Sequence, residues 1–430
     1  MNGKAKERFY TSKSGIKVYS YPNPLIHSFH LALYVRTGSM YEGEDECGIS
    51  HFFEHAAIRN VNKKRGGTLY SELDRLGVEF NASTYSELVQ FYVGGSPKSF
   101  SFAAGVLLDV LSPITLSAEE ISEERSRIKA EIRENDERSS LSLFTSSVVH
   151  EGTSLAYSIT GTTRSLDRIT KKRLDEFRRR ITGRDNIFLY ATGHVTEDDV
   201  ALLLSMLDGI TLTGSIINDN MAPVSKNTFK RETKVYIKNA DFIMPRFTFD
   251  LDMTKMKLPE VDLIYDILLG GYSSEFFIEL SEKRGLFYDI SGSLDRYLNV
   301  GTLSFSFEVR GGALYDSLMI VTEILNRMKR ELLCEEKCMR AAYVDNAYML
   351  LDDPRELNFT FAYDNHIMNA GYTDLDDRIA AYSNVTPERI RALAREIFRP
   401  ENLTFTIKGR AKKLDTCRIS EILSSLGCKI

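Results

Sequence analysis

Five cysteines in 430 residues, Cys47, Cys334, Cys338, Cys417 and Cys428, are too few and too uneven for a disulfide framework. Cys334 and Cys338 sit four apart on an expected helix, but no second Cys/His pair stands near enough to complete a zinc knot. No run of 18 or more apolar residues occurs, so no helical membrane span is expected. The opening stretch MNGKAKERFYTSKSG has no apolar core of the kind a secretory signal needs, which makes a cytoplasmic location the expectation. Excess charge is also scarce: 55 Lys and Arg against 60 Asp and Glu leave a formal −5. That is too mild to imply a basic nucleic-acid face or an acidic tail.

What is present is an ordinary globular mixture, 43% apolar and 27% charged. The length exceeds one core, so two domains are expected. An internal repeat supports this. DNIFLYATGHV (185–195) and ENLTFTIKGRA (401–411) pair at one constant offset, matching Asp185 with Glu401, Asn186 with Asn402 and Gly193 with Gly409. Each alternates apolar and other residues like a half-buried strand, between helical patterns at 167–182 and 197–207 or 387–398 and 417–425. The likeness continues upstream, in strand patterns at 31–40 and 244–253 and helical ones at 48–60 and 261–271. The stretch 209–232 is polar, rich in Gly, Asn and Pro, and lacks a helical period. The expected organisation is an α+β chain of two homologous α/β-sandwich halves: a domain over 1–215, a linker over 216–232 and a domain over 233–430.

The chemistry concentrates in His51-Phe52-Phe53-Glu54-His55. Residues four apart on a helix stack on one face, so both imidazoles can reach one metal ion. Glu54 projects beside them and is placed to take a proton from water as a general base; zinc suits such a donor set. The bland alternative is a helix with two packed or solvated histidines. Catalytic zinc sites usually take three protein ligands. The acidic segment 117–138 offers them: Ser117 and Glu120 form a possible capping box, and Glu124 and Glu131, two turns apart, share a face. Periodicity alone does not choose between those two glutamates.

These residues resemble the insulysin/pitrilysin peptidases, which include the mitochondrial processing peptidases and their bacterial relatives. In that family H-x-x-E-H is followed about 75 residues later by a glutamate ligand, and here 75 residues lie between His55 and Glu131. The resemblance thus implies a Zn2+ ion on His51, His55 and Glu131, with Glu124 in the shell that orients the ligands. It covers nearly the whole chain. TGSMYEGEDECGISHFFEH resembles the family's approach to the metal helix. LGVEFNAST resembles its substrate-strand segment, which implies that Asn81 and Ala82 lie near the bound peptide. GGYSSEFFIELSEKRGLFYDI resembles a segment of the second half. The implied fold is two homologous halves facing each other around a chamber, and the implied reaction is hydrolysis of peptides or unstructured segments.

One departure stands out. Active single-chain relatives carry an Arg seven residues before a Tyr that together help hold the substrate and its oxyanion. Here Tyr288 is present but the Arg position is Ser281, with Arg284 one turn later. Losing an oxyanion donor costs about 3–4 kcal/mol. The resemblance therefore implies either a homodimer in which another residue such as Arg284 serves, or a heterodimer whose sister subunit supplies an Arg/Tyr pair. A fold-retaining, non-catalytic scaffold subunit is the alternative function. Cys47 as an extra ligand and His194 as a functional residue are disfavoured by a filled ligand set and by the mixed surroundings of a strand end. The basic clusters ERSRIK and FRRRIT read as solvated faces.

Overall fold

Short alternating runs of apolar residues resolve into eleven strands in two sheets among the described residues of a computed structural model. Those residues are 6–135, 140–212, 214, 216–232, 234–286, 290–309, 312–332 and 343–427. The first sheet contains β1 (Arg8–Thr11), β2 (Lys17–Pro22), β3 (Phe29–Val35), β4 (Glu79–Thr84), β5 (Val89–Gly95) and β6 (Ile187–Gly193), in the order β1-β2-β6-β3-β5-β4. The second contains β7 (Val235–Lys238), β8 (Met244–Leu251), β9 (Ile290–Arg296), β10 (Gly301–Phe307) and β11 (Leu403–Lys408), in the order β7-β11-β8-β10-β9. In both, one parallel pair (β2 with β6, β7 with β11) is followed by an antiparallel run. Val35 lies between Val89 and Ile187, and Phe249 lies between Leu303 and Leu403, so registers as well as strand orders correspond.

The repeat has a local physical cause. Thr170 and Thr386, 216 positions apart, each accept from the backbone N–H three residues on and open the helices Lys171–Ile181 and Pro387–Ile397. Asn186 then donates to the Ile181 carbonyl at 2.8 Å and the Arg36 carbonyl at 2.9 Å. Asn402, at the same offset, donates to Ile397 at 3.0 Å and Asp250 at 2.8 Å. Each Asn satisfies a helix-end carbonyl and a strand-end carbonyl at once, a pairing no apolar residue could supply.

The chain forms two compact units, and they do not follow sequence order. One comprises 1–137, 157–220 and 348–375; the other comprises 138–156, 221–347 and 376–430. Each half of the chain thus lends one segment to the other half's unit, which the sequential division at 215 and 233 does not include. In the first unit one face of the sheet (Val18, Leu31, Leu33, Phe91, Leu189) packs on the helices Ile49–Lys64, Phe100–Asp109, Lys171–Ile181 and Glu197–Asp208. The other face is closed by the borrowed helix Pro354–Phe361. There Asn358 accepts from the Tyr34 hydroxyl at 2.8 Å and donates to the Tyr190 carbonyl at 2.8 Å. In the second unit the borrowed helix Ser140–Val149 packs on β11 and β8; Thr145 and Thr406 share a hydrogen bond of 2.7 Å. The buried ion pair Arg231–Asp250, at 2.7 Å, holds the end of that helix through a 2.9 Å bond from Arg231 to the Val149 carbonyl.

This corrects one sequence expectation. Strands 187–193 and 403–408 alternate as if half-buried, yet every residue in both is buried, because the borrowed helices cover their second faces. The polar alternates, such as Thr192 and Thr406, are paired with those helices or their leading turns. No helix among the described residues is long and apolar enough to cross a membrane.

Two outcomes follow from these contacts. Asn186→Leu and Asn402→Leu should each lower stability by roughly 1–3 kcal/mol, the cost of losing two interior hydrogen bonds; denaturant titration showing either variant at parental stability would contradict the shared role. A fragment of residues 1–220 should melt without cooperativity and bind a hydrophobic dye, and adding a peptide of residues 348–375 should restore a cooperative transition. Cooperative melting of the fragment alone would remove the covering role of helix Pro354–Phe361.

Candidate metal centre

Helix Ile49–Lys64 starts at Gly48, whose φ of 88° is left-handed. A side chain there would lie 2.8 Å from the Gly161 Cα and the Thr160 carbonyl, so glycine is required by both torsion and space. Gly48 has no capping side chain of its own. The cap comes from Glu42, a buried carboxylate that accepts from the Gly48 N–H at 2.7 Å and the Ser50 N–H at 2.8 Å. Burial, partly offset by these bonds, pushes the Glu42 carboxyl up to about 7. Phe52 and Phe53 are fully buried in the core, which turns His51, Glu54 and His55 toward the opposite side of the helix.

Helix Ala118–Asn135 supplies the second wall. Its start carries the expected box: the Ser117 N–H donates to Glu120 at 2.6 Å and the Glu120 N–H donates to Ser117 at 3.2 Å. Of the two glutamates that share its face, Glu131 approaches both ring nitrogens that point outward. Its Oε2 lies 3.8 Å from His51 Nε2 and 3.6 Å from His55 Nε2. Ligand atoms of His51, His55 and Glu131 all lie within 4.8 Å of one another, and among the described residues this is the group that could hold a metal ion. Tetrahedral zinc with bonds of roughly 2.0–2.1 Å needs donor atoms roughly 3.4 Å apart. The residues present therefore fit such an ion in both donor chemistry and spacing.

Glu124 meets the other side of His55. Its Oε1 accepts from His55 Nδ1 at 3.0 Å. Bonds from His55 and Arg59 outweigh its burial and hold the Glu124 carboxyl below the usual range, so it is ionised and can only accept. The proton of neutral His55 then sits on Nδ1, and Nε2 keeps a free lone pair aimed at Glu131. Burial, with His55 adding, lowers the His51 pKa to about 3, which keeps that ring neutral. For His55 burial acts downward too, but the Glu124 bond and the charges of Glu54, Glu124 and Glu131 reverse it, and its pKa is raised.

Glu54 is 8% exposed. Burial raises its pKa, against the pull of a Thr84 hydrogen bond and of His55, and Glu131 reinforces the rise. The Thr84 hydroxyl donates to Glu54 Oε2. Thr84 lies on β4, an edge strand, two residues beyond Ala82. Asn81 is on the same strand and its side-chain oxygen accepts from the Ala82 N–H at 2.9 Å. Three contributors thus escaped the sequence reading. Thr84 shares a strand face with Ala82 by period two, so alternation could have found it. Arg59 reaches the site by a long-range contact, and Glu42 by a local loop six residues before Gly48 whose path the usual capping spacings do not encode.

In the second unit, Ser281 lies in a π-helical turn, Phe277–Glu282. The Arg284 guanidinium is held by Glu279, through the carboxylate at 2.7 Å and the main-chain carbonyl at 2.6 Å. Tyr288, Cys334, Cys338 and Cys428 lie outside the described residues. Cys47 is buried and free, and His194 Nδ1 donates to the Ile26 carbonyl at 3.0 Å.

Comparison with known proteins places the chain in a family. Residues 17–163 match the family described as insulinase, peptidase family M16, and residues 168–342 match the one described as the peptidase M16 inactive domain. A protein of Rickettsia felis named an uncharacterized zinc protease is 26% identical over 358 residues, 78% of this chain and 82% of its own length. Among solved structures, a protease from Helicobacter pylori superposes with a TM-score of 0.83 at 17% identity, covering 94% of this chain and 99% of the other. A peptidase M16 inactive domain from Pseudomonas fluorescens gives 0.82 at 15%, covering 94% and 98%. At those identities the structures speak to the fold alone. Two families matched in tandem, over most of the chain, make the assignment: this chain belongs to the M16, or insulinase, family of peptidases.

Proposed function

We propose that the chain is a zinc-dependent endopeptidase acting on peptides or unstructured segments. The observation that carries this reading is the convergence of His51, His55 and Glu131, whose ligand atoms all lie within 4.8 Å of one another, with the buried carboxylate of Glu54 beside them. The two imidazoles and Glu131 would hold the ion and leave a position open. When bound, zinc supplies Lewis acidity, polarising the scissile carbonyl and acidifying water. Glu54 takes the proton of the attacking water and passes it to the leaving amine. Its burial favours the protonated form it needs between those two events, and the Thr84 hydroxyl fixes one of its oxygens. The substrate adds as a strand beside the edge strand β4, past Asn81, Ala82 and Thr84, so that main-chain hydrogen bonds carry affinity.

Because Arg284 is engaged by Glu279 and Ser281 replaces the family Arg, we place the oxyanion-holding Arg/Tyr pair on a sister subunit. A homodimer relying on Tyr288 and Arg284 is the competing arrangement, and a cytoplasmic setting remains our assignment. A purely structural subunit is disfavoured by the site itself. Glu54 is a buried carboxylate whose contacts do not make up for its desolvation, a cost in folding free energy that a scaffold has no reason to retain.

Glu54→Gln should keep stoichiometric zinc and lose roughly 100-fold or more of kcat on a peptide substrate. Undiminished turnover would remove Glu54 from the proton path. After dialysis, Glu131→Gln should lose most of its zinc, whereas Glu124→Gln should retain most of it and turn over more slowly. Metal analysis finding equal loss in both would break the distinction between ligand and orienting residue.

A further inference from the structure

The two imidazoles are not aligned in the same way. His51 Nδ1 is buried and has no hydrogen-bond partner among the described residues, so packing holds that ring there. His55 is held by a polar chain that begins with Glu124 Oε1. A carboxylate bonded at one oxygen can still turn about its last carbon–carbon bond, and Glu124, 4% exposed, has little water to steady the other oxygen. Glu124 Oε2 instead accepts from Arg59 Nη1 at 3.1 Å and Arg127 Nη1 at 3.2 Å. Arg127 is on the helix of Glu124 and mostly solvated. Arg59 belongs to the helix of His55, one turn further on, and its other nitrogen is anchored on Glu123. Two side chains from one face of helix Ile49–Lys64 therefore grip the two oxygens of a single carboxylate.

We propose that Arg59 is a positioning residue for the metal. It fixes the Glu124 carboxylate, and through it the His55 ring plane, so that Nε2 points at the place shared with His51 and Glu131. This rests on the zinc reading above. The geometry calls for a planar fork, one nitrogen on Glu123 and one on Glu124, which lysine cannot reproduce. Charge and alignment predict opposite signs. Removing a cation near the site would by itself tighten metal binding. Glu123 already pairs with that cation, so the loss of alignment is the larger effect.

The test is the zinc dissociation constant of the full-length chain, measured by competition with a chromophoric chelator. It is run on the unaltered protein, R59M, R59K, E124Q and R59M/E124Q, with the visible spectrum of the Co2+-substituted proteins alongside. R59M should raise the constant about tenfold, in the range usual for groups that orient ligands, and R59K should recover part of the loss. In the E124Q background R59M should add less than about twofold, because the path through Glu124 is already cut. The Co2+ bands should shift in R59M and E124Q alike. Zinc binding in R59M that is unchanged or tighter, or losses that multiply in the double variant, would overturn the assignment. If R59M fails to fold, R59K at parental affinity overturns it equally. An unaltered protein that takes up no zinc would bring down the peptidase reading and this one with it. That result is distinct from tight binding in the unaltered chain matched by R59M.

Discussion

Three donor atoms from two helices must arrive at one point, and no covalent bond brings them there. The placement falls to the seam between helices Ile49–Lys64 and Ala118–Asn135. Along the first helix, His55, Arg59 and Lys63 recur once per turn, and they meet Glu124, Glu123 and Glu120 of the second. Asn60 adds bonds to the Pro113 carbonyl at 3.0 Å and the Thr115 N–H at 2.8 Å, just before the second helix begins. On the far side, Arg125 donates to the Leu166 and Ile169 carbonyls, so the second helix is pinned from behind as well. Individually such contacts are weak at a surface. Their value here is registry: a shift of one helix by a single residue would part Glu131 from both imidazoles.

Much of the site could be read from the sequence because its parts obey local rules. His51 and His55 are four apart, which a helix converts into proximity. The capping box Ser117–Glu120 marks where the acidic helix starts, and hence which glutamates share a face. The choice of Glu131 over Glu124 was beyond periodicity, since both lie on that face; a family spacing supplied it. The geometry separates them: Glu131 faces the outward nitrogens of both rings, while Glu124 takes the inner nitrogen of His55 alone. The cap from Glu42 and the clamp from Arg59 were illegible for a simpler reason. The clamp depends on where a distant helix ends up and the cap on the path of the short irregular loop before Gly48, and neither leaves a mark at fixed spacing.

The fold divides in the same way. Duplication was visible at Asn186/Asn402 because each makes the same pair of hydrogen bonds, to a helix-end carbonyl and to a strand-end carbonyl, in its own half. Unit composition was not visible. Helices Ser140–Val149 and Pro354–Phe361 carry amphipathic patterns of no special kind, and nothing local says whose sheet they cover. The error in reading β6 and β11 as half-buried has that single origin.

The exchange of covering helices also orders events in time. During synthesis the first sheet is complete once Gly193 has emerged, but Pro354 follows roughly 160 residues later, a delay on the order of 10–30 s at ordinary ribosome speeds. Through that interval Tyr34, Phe188 and Tyr190 have no lid, whereas helix Ser140–Val149 waits for a surface not yet translated. The newborn chain therefore carries an aromatic wall open to water or to a chaperone, and neither half can be finished before the other has been made.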